Sequence, residues 1–124
     1  MDDRQWSRLK FFSQGEKDSH GDLSFPHPEK MSFVLMRKLD RARVLATVPF
    51  VISSSWRDND RRTHGRGEAV DIRATSSGKR MRIVRALIAV DFARIGIYDV
   101  HIHADVGEEE DGFPQNVLWW GKSK

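Results

Sequence analysis

The apolar positions of this chain fall into two helical stripes and a set of short β-branched runs. From Pro28-Glu29, where a proline suits the first turn of a helix, Met31, Val34, Leu35, Leu39, Ala42 and Leu45 recur three to four residues apart. Arg37, Lys38, Asp40 and Arg41 lie largely on the other face, and this period predicts an amphipathic helix. A second helix is expected after Ser76-Ser77-Gly78, where a serine hydroxyl can cap a backbone N–H, and it carries Met81, Val84, Leu87, Ile88 and Phe92. Residues 48–54 are rich in β-branched side chains and read as a strand. Shorter strands are expected at 69–73, 95–98, 101–104 and 117–120, with a tight connection between the third and fourth of the five. Trp6, Leu9, Phe11 and Phe12 mark a short helix or arm packed on the body. Residues 13–27 read as an irregular loop, 57–67 as a long polar loop without core signal, and 105–115 as an acidic loop. Loops as long as 57–67 in compact domains are often functional. The order helix, strand, strand, helix, strands predicts an α+β domain with helices packed on a small antiparallel sheet.

Composition narrows the chemistry. With 124 residues, 39% of them hydrophobic and 31% charged, the chain has the profile of one globular domain spanning 1–124. No apolar run approaches the ~20 residues of a membrane span, so no membrane association is expected. The N-terminus, Met1-Asp2-Asp3-Arg4-Gln5-Trp6, lacks the basic and apolar regions of a secretory signal, which leads to the expectation of a cytoplasmic chain. There is no cysteine, so a metal would have to sit on His, Asp or Glu. The net charge of +3 favours approach to an anionic polymer without identifying one.

Candidate chemistry gathers on two short segments, His64-Gly65-Arg66-Gly67-Glu68-Ala69-Val70-Asp71 and His101-Ile102-His103. Residues two apart on a strand share a face, so His101 and His103 project together while Ile102 turns to the core. Asp71 belongs to another strand, and Gly65 and Gly67 allow the preceding loop to bring His64 back over it. Three or four imidazole and carboxylate donors can thus converge on one metal and leave a position for water, the arrangement of a catalytic zinc site.

Ser54-Ser55-Trp56-Arg57, the His64-x-x-Gly67-x-Ala69-x-Asp71 segment, and Ile95-Gly96-Ile97-Tyr98 leading to His103-Ala104-Asp105 together resemble the M15 peptidases. These are zinc D-Ala-D-Ala carboxypeptidases and related peptidoglycan endopeptidases, many of them phage endolysins, and the similarity covers residues 29–121. It implies a hedgehog-like α+β fold, zinc as cofactor, and His64, Asp71 and His103 as its ligands. It also implies that Arg57 binds substrate or steadies developing negative charge, and that His101 assists catalysis beside the metal. Ser54, Trp56 and Trp119 would join Arg57 in contacting substrate. Two positions depart from the family pattern: Arg62 stands where a serine is frequent, and Val100 stands where many members carry a general-base glutamate. Proton transfer would then fall to His101 or to Asp105. The partner implied is the peptide of peptidoglycan, met by a monomer without a separate wall-binding repeat and released from the host cytoplasm at lysis.

Other readings have their own residues. A zinc amidohydrolase acting on another small peptide would use the same ligands, and a wall-binding module would keep the metal without turnover. Arg57, Arg61, Arg62 and Arg66 form a basic cluster that a nucleic-acid-binding domain would also show, although no nucleic acid is expected here. Asp58-Asn59-Asp60 lacks the later ligands of a calcium loop, and Glu108-Glu109-Glu110-Asp111 reads as a solvated acidic surface. Trp119-Trp120 suits a groove or the core equally.

Overall fold

A computed structural model describes residues 1–122. It is α+β, with a mixed five-stranded sheet and three α-helices. In chain order the α-helices are α1 (Asp3–Ser7), α2 (Phe33–Ala46) and α3 (Ser77–Ala89). The strands are β1 (Ile52–Ser54), β2 (Ala69–Arg73), β3 (Arg94–Ile97), β4 (His101–Asp105) and β5 (Val117–Trp120). They lie in the order β1-β2-β4-β3-β5. Among the described residues, no helix is long and apolar enough to cross a membrane.

The expected antiparallel sheet needs one correction, because β5 runs parallel to β3. Strand β4 is antiparallel to both neighbours, so it ends where β3 begins. The chain then travels through residues 106–116 past β3 and enters β5 from that same end. The expected strand at 48–54 shortens to Ile52–Ser54. Pro49 has no N–H for a ladder, and Thr47 closes α2 in the left-handed region at φ 58°.

Helix α2 starts later than Pro28. Residues Pro28–Lys30 form a separate 3-10 turn, Met31 is extended, and the Ser32 side chain caps the helix by accepting from the Leu35 N–H. The break at Met31 and Ser32 ties three segments together. The N-terminal ammonium donates to the Glu29 and Met31 carbonyls, each at 3.1 Å, while the Ser32 N–H donates to the Gly67 carbonyl at 2.9 Å. Helix α3 begins as expected, with the Ser76 hydroxyl accepting from the Lys79 N–H.

The apolar stripes keep Leu35, Leu39, Ala42 and Leu87 of the expected positions and exchange others, and α3 ends at Ala89, before Phe92. Leu35, Met36, Leu39, Ala42 and Ala46 of α2 and Ile83, Ala86 and Leu87 of α3 are buried, whereas Val34, Leu45, Met81 and Ile88 are exposed. The buried set joins Val70, Ile72, Ile95, Ile102 and Ala104 of the sheet in one core. Full burial of a side chain of this size is worth roughly 1.5–3 kcal/mol. With alternate strand residues committed to that core, the opposite face of β2, β4, β3 and β5 carries Asp71, His101, His103, Asp105, Gly96 and Trp119 in register.

Candidate metal centre and its cleft

Asp71 on β2 and His103 on β4 are directly paired across the antiparallel ladder. The third member arrives from residues 57–67, expected to be a long polar loop without core signal. That segment instead folds tightly and ends in a 3-10 turn, Thr63–Arg66, with Thr63 and His64 buried. The Arg57 N–H donates to the His64 carbonyl at 3.2 Å, and the Arg62 N–H to the Asp60 carboxylate at 2.7 Å. Gly65 packs so closely on the Asp60 carbonyl that a Cβ there would overlap it. Gly67 ends the turn at φ 70° and faces the Lys30 carbonyl with the same lack of space.

His64, Asp71 and His103 are all buried, and one ligating atom of each lies within 4.8 Å of the others. His64 Nε2 stands 3.3 Å from Asp71 Oδ1, and His103 Nδ1 stands 3.2 Å from the same oxygen. For a tetrahedral ion with 2.0–2.1 Å bonds, two neighbouring donors should be about 3.3–3.4 Å apart, so both edges have the spacing a metal requires.

The remaining ring nitrogens are committed. His64 Nδ1 lies 2.7 Å from the Ser55 carbonyl, which can only accept, so Nδ1 carries a proton and Nε2 is the nitrogen turned toward Asp71. His103 Nε2 donates to Asp105 Oδ2 at 2.6 Å, leaving Nδ1 toward Asp71. Backbone or carboxylate acceptors behind ligating imidazoles are the usual means of fixing their tautomer and orientation. The donor set therefore fits a borderline metal ion with one site left for solvent or substrate.

Charge around the cluster is tightly coupled. Burial alone would raise the Asp71 carboxyl, but hydrogen bonds from His103 and His64 hold it well below the ordinary carboxylate range. Burial disfavours a charged His103, yet Asp105 and Asp71 outweigh it and raise this imidazole. A metal bound there would have to displace the proton from Nδ1. His101 is lowered, first by burial, with Asp71 opposing and neighbouring cations adding to the effect.

The cluster forms part of the wall of an open cleft of about 890 Å³, which also includes Arg57, His101, Tyr98 and Trp119. His101 Nε2 lies 3.7 Å from Asp71 Oδ1, and its ring stacks on Tyr98 with centroids 4.6 Å apart and planes at 13°. The Tyr98 hydroxyl in turn accepts from Trp119 Nε1 at 3.0 Å. Trp119 lies over Gly96, where any Cβ would strike the indole, and its ring centroid is 5.4 Å from that of His103. Arg57 is half-exposed at the rim, its guanidinium 3.6 Å from Asp60.

Three expected site residues are placed differently. Asp105 is 1% exposed and sits behind His103, with every oxygen engaged. Its Oδ1 accepts from Arg94 Nε at 2.7 Å and the Gly107 N–H at 2.9 Å, while Oδ2 takes His103 and the Thr63 hydroxyl at 3.3 Å. Those bonds hold its carboxyl below the usual range against the effect of burial, and they leave it no path to a proton in the cleft. Trp56 is turned away from the cleft: its Nε1 donates to the Gly65 carbonyl at 3.0 Å and its ring packs on His27, which makes it a prop for the loop bearing His64. Ser54 lies beside Asp71 on the β1 edge and does not line the cleft.

Arg94 and Tyr98 were not foreseen as site residues. The strand period that pairs His101 with His103 also places Asp105 on their face, and Arg94 lies opposite Asp105 on β3; that second step needs the register. No protein-family model, curated protein or solved structure matches the chain.

Proposed function

We propose that this chain is a zinc-dependent peptidase acting on the peptide part of bacterial peptidoglycan, with a hedgehog-like arrangement of its sheet. The observation that carries the reading is the buried His64, Asp71 and His103 triad, its second nitrogens already committed, opening on a cleft that also holds His101 and Arg57. The residue pattern shared with the M15 peptidases supports the substrate class.

Zinc, when bound, supplies a Lewis acid and lowers the pKa of its water to roughly 7. The chain's residues do the rest. His101 takes a proton from the attacking water and returns it to the leaving amine, a role suited to an imidazole whose unperturbed pKa is near 6.5. Stacking on Tyr98 holds the ring in place, since no hydrogen bond to it is found among the described residues. Arg57 offers a planar fork of donors for a carboxylate or for the oxygen that gains charge.

Metal analysis of chelator-free protein should find about one zinc per chain, and mass spectrometry of digested peptidoglycan should show cleaved stem or cross-link peptides. His64→Ala should lose both metal and cleavage. His101→Ala should keep the metal and lose turnover by about 10²–10⁴-fold; unchanged turnover would remove His101 from the mechanism. A wall-binding module without turnover is the second reading. It draws on the cleft's short supply of carboxylates, since Asp60 is held by Arg57 and the Arg62 N–H, and Val100 lines the wall. Intact muropeptides together with retained wall binding would select it.

A further inference from the structure

Arginine residues around the cleft differ in one respect, which is whether each already has a carboxylate. Arg94 holds Asp105 at 2.7 Å, Arg66 holds Glu68 at 2.7 Å and Asp111 at 2.8 Å, and Arg57 stands 3.6 Å from Asp60. Arg62 lines the same cleft, yet among the described residues its guanidinium has no acidic partner and makes no hydrogen bond.

Its position is nonetheless constrained. The Arg62 N–H donates to Asp60 Oδ1, while the other Asp60 oxygen faces Arg57. The residue is extended at φ −107° and ψ −152° and leads directly into the buried turn of Thr63 and His64. Its guanidinium carbon sits 5.8 Å from the centroid of the buried Phe113 ring, which Arg94 and Arg66 also approach, and this cation–π contact uses none of its donors. An exposed cation on the cleft wall, two residues from the candidate ligand His64 and with its donors unspent, is matched by a ligand carboxylate, which takes two of them side by side.

We infer that Arg62 is a specificity residue that binds a carboxylate on the peptide segment next to the cleaved bond, so that the substrate is an acidic peptide. This rests on the peptidase reading for the position of that bond, but the recognition itself is a binding property. The carboxylate can come from the chain terminus or from an acidic residue within the peptide, such as a glutamyl unit.

Two matched pairs of stem peptides distinguish these sources. One pair differs only in a free or amidated C-terminus, the other only in a free or amidated glutamyl carboxyl. Calorimetric binding to the zinc-loaded protein, alongside kcat/KM, should show one pair favouring the acid by about 10- to 100-fold. Arg62→Gln should bring that ratio close to one with zinc content unchanged, and Arg62→Lys should restore part of it. Arg61→Gln, outside the cleft wall, should keep the full ratio. Acid-to-amide ratios near one in the unaltered protein, a ratio that survives Arg62→Gln, or no binding of any of the four peptides would overturn the assignment. Acid-selective binding without cleavage would leave the assignment standing and remove only the peptidase reading.

Discussion

Asp105 joins the buried Arg94 guanidinium to the far side of the His103 ring, so one carboxylate balances a core charge and orients a candidate metal donor. Removing one partner of a buried ion pair costs about 3–5 kcal/mol, and loss of an acceptor behind a ligating imidazole weakens metal binding about 10–100-fold. Asp105→Asn should therefore lower the melting temperature and weaken zinc affinity together, read by thermal denaturation and by competition with a chromophoric chelator. Unchanged zinc affinity in a folded variant would show that His103 does not depend on this anchor. Its neighbour His101 has the opposite environment, open to the cleft and held by the face of Tyr98 rather than by a polar bond. That contrast on a single strand separates a residue that positions from one free to react.

Elements position these side chains through a few close backbone approaches. The turn bearing His64 is clamped from outside by the break before α2, through the Ser32 N–H on the Gly67 carbonyl and the packing of Gly67 against Lys30. Gly67→Ala would place a Cβ into the Lys30 carbonyl at a left-handed φ of 70°. Strain at an incompatible φ exceeds the ~0.4–1 kcal/mol that the substitution brings where it fits. Urea denaturation should show a destabilisation above about 1 kcal/mol, with weaker zinc binding because the His64 turn must shift. Gly15→Ala, with nothing near its would-be Cβ, should differ little from the parent. Equal stability of the two variants would mean that the turn is not held by this contact.

Over the whole molecule, metal binding and folding should be linked. The three candidate ligands come from β2, β4 and a loop held by the segment before α2, so unfolding separates them, and an ion bound only to the native state stabilises it. At a hundredfold excess over the dissociation constant the gain is about 2.7 kcal/mol, which for a chain of this size raises the melting temperature by roughly 5–15 °C. Zinc should produce this rise in a thermal scan, a chelator should reverse it, and His64→Ala should abolish it. A scan indifferent to zinc and chelator alike would argue that the cluster is a hydrogen-bonded network alone.

Local rules in the sequence already determined much of this protein. The serine cap before α3, two helical periods and short β-branched runs marked the main helices and strands. The two-residue repeat of β4 placed His101 and His103 on one face, and the spacing of His64 and Asp71 named the remaining candidate donors. These are short-range properties, set by backbone geometry within a few residues. What only the tertiary structure decided depends on contacts between distant segments. The parallel run of β5 follows from the chain entering at the end of β3 where β4 finishes. The true core stripe on α2 and α3 follows from how the helices settle on the sheet, which left Val34 and Met81 outside and buried Met36 and Ile83. Asp105 became an anchor rather than a candidate base because Arg94 lies across the ladder from it. Trp56 turned to the loop and Trp119 to the cleft, although both are indoles beside candidate site residues. Identity and spacing name the donors; register and packing decide which of their neighbours can reach the open side.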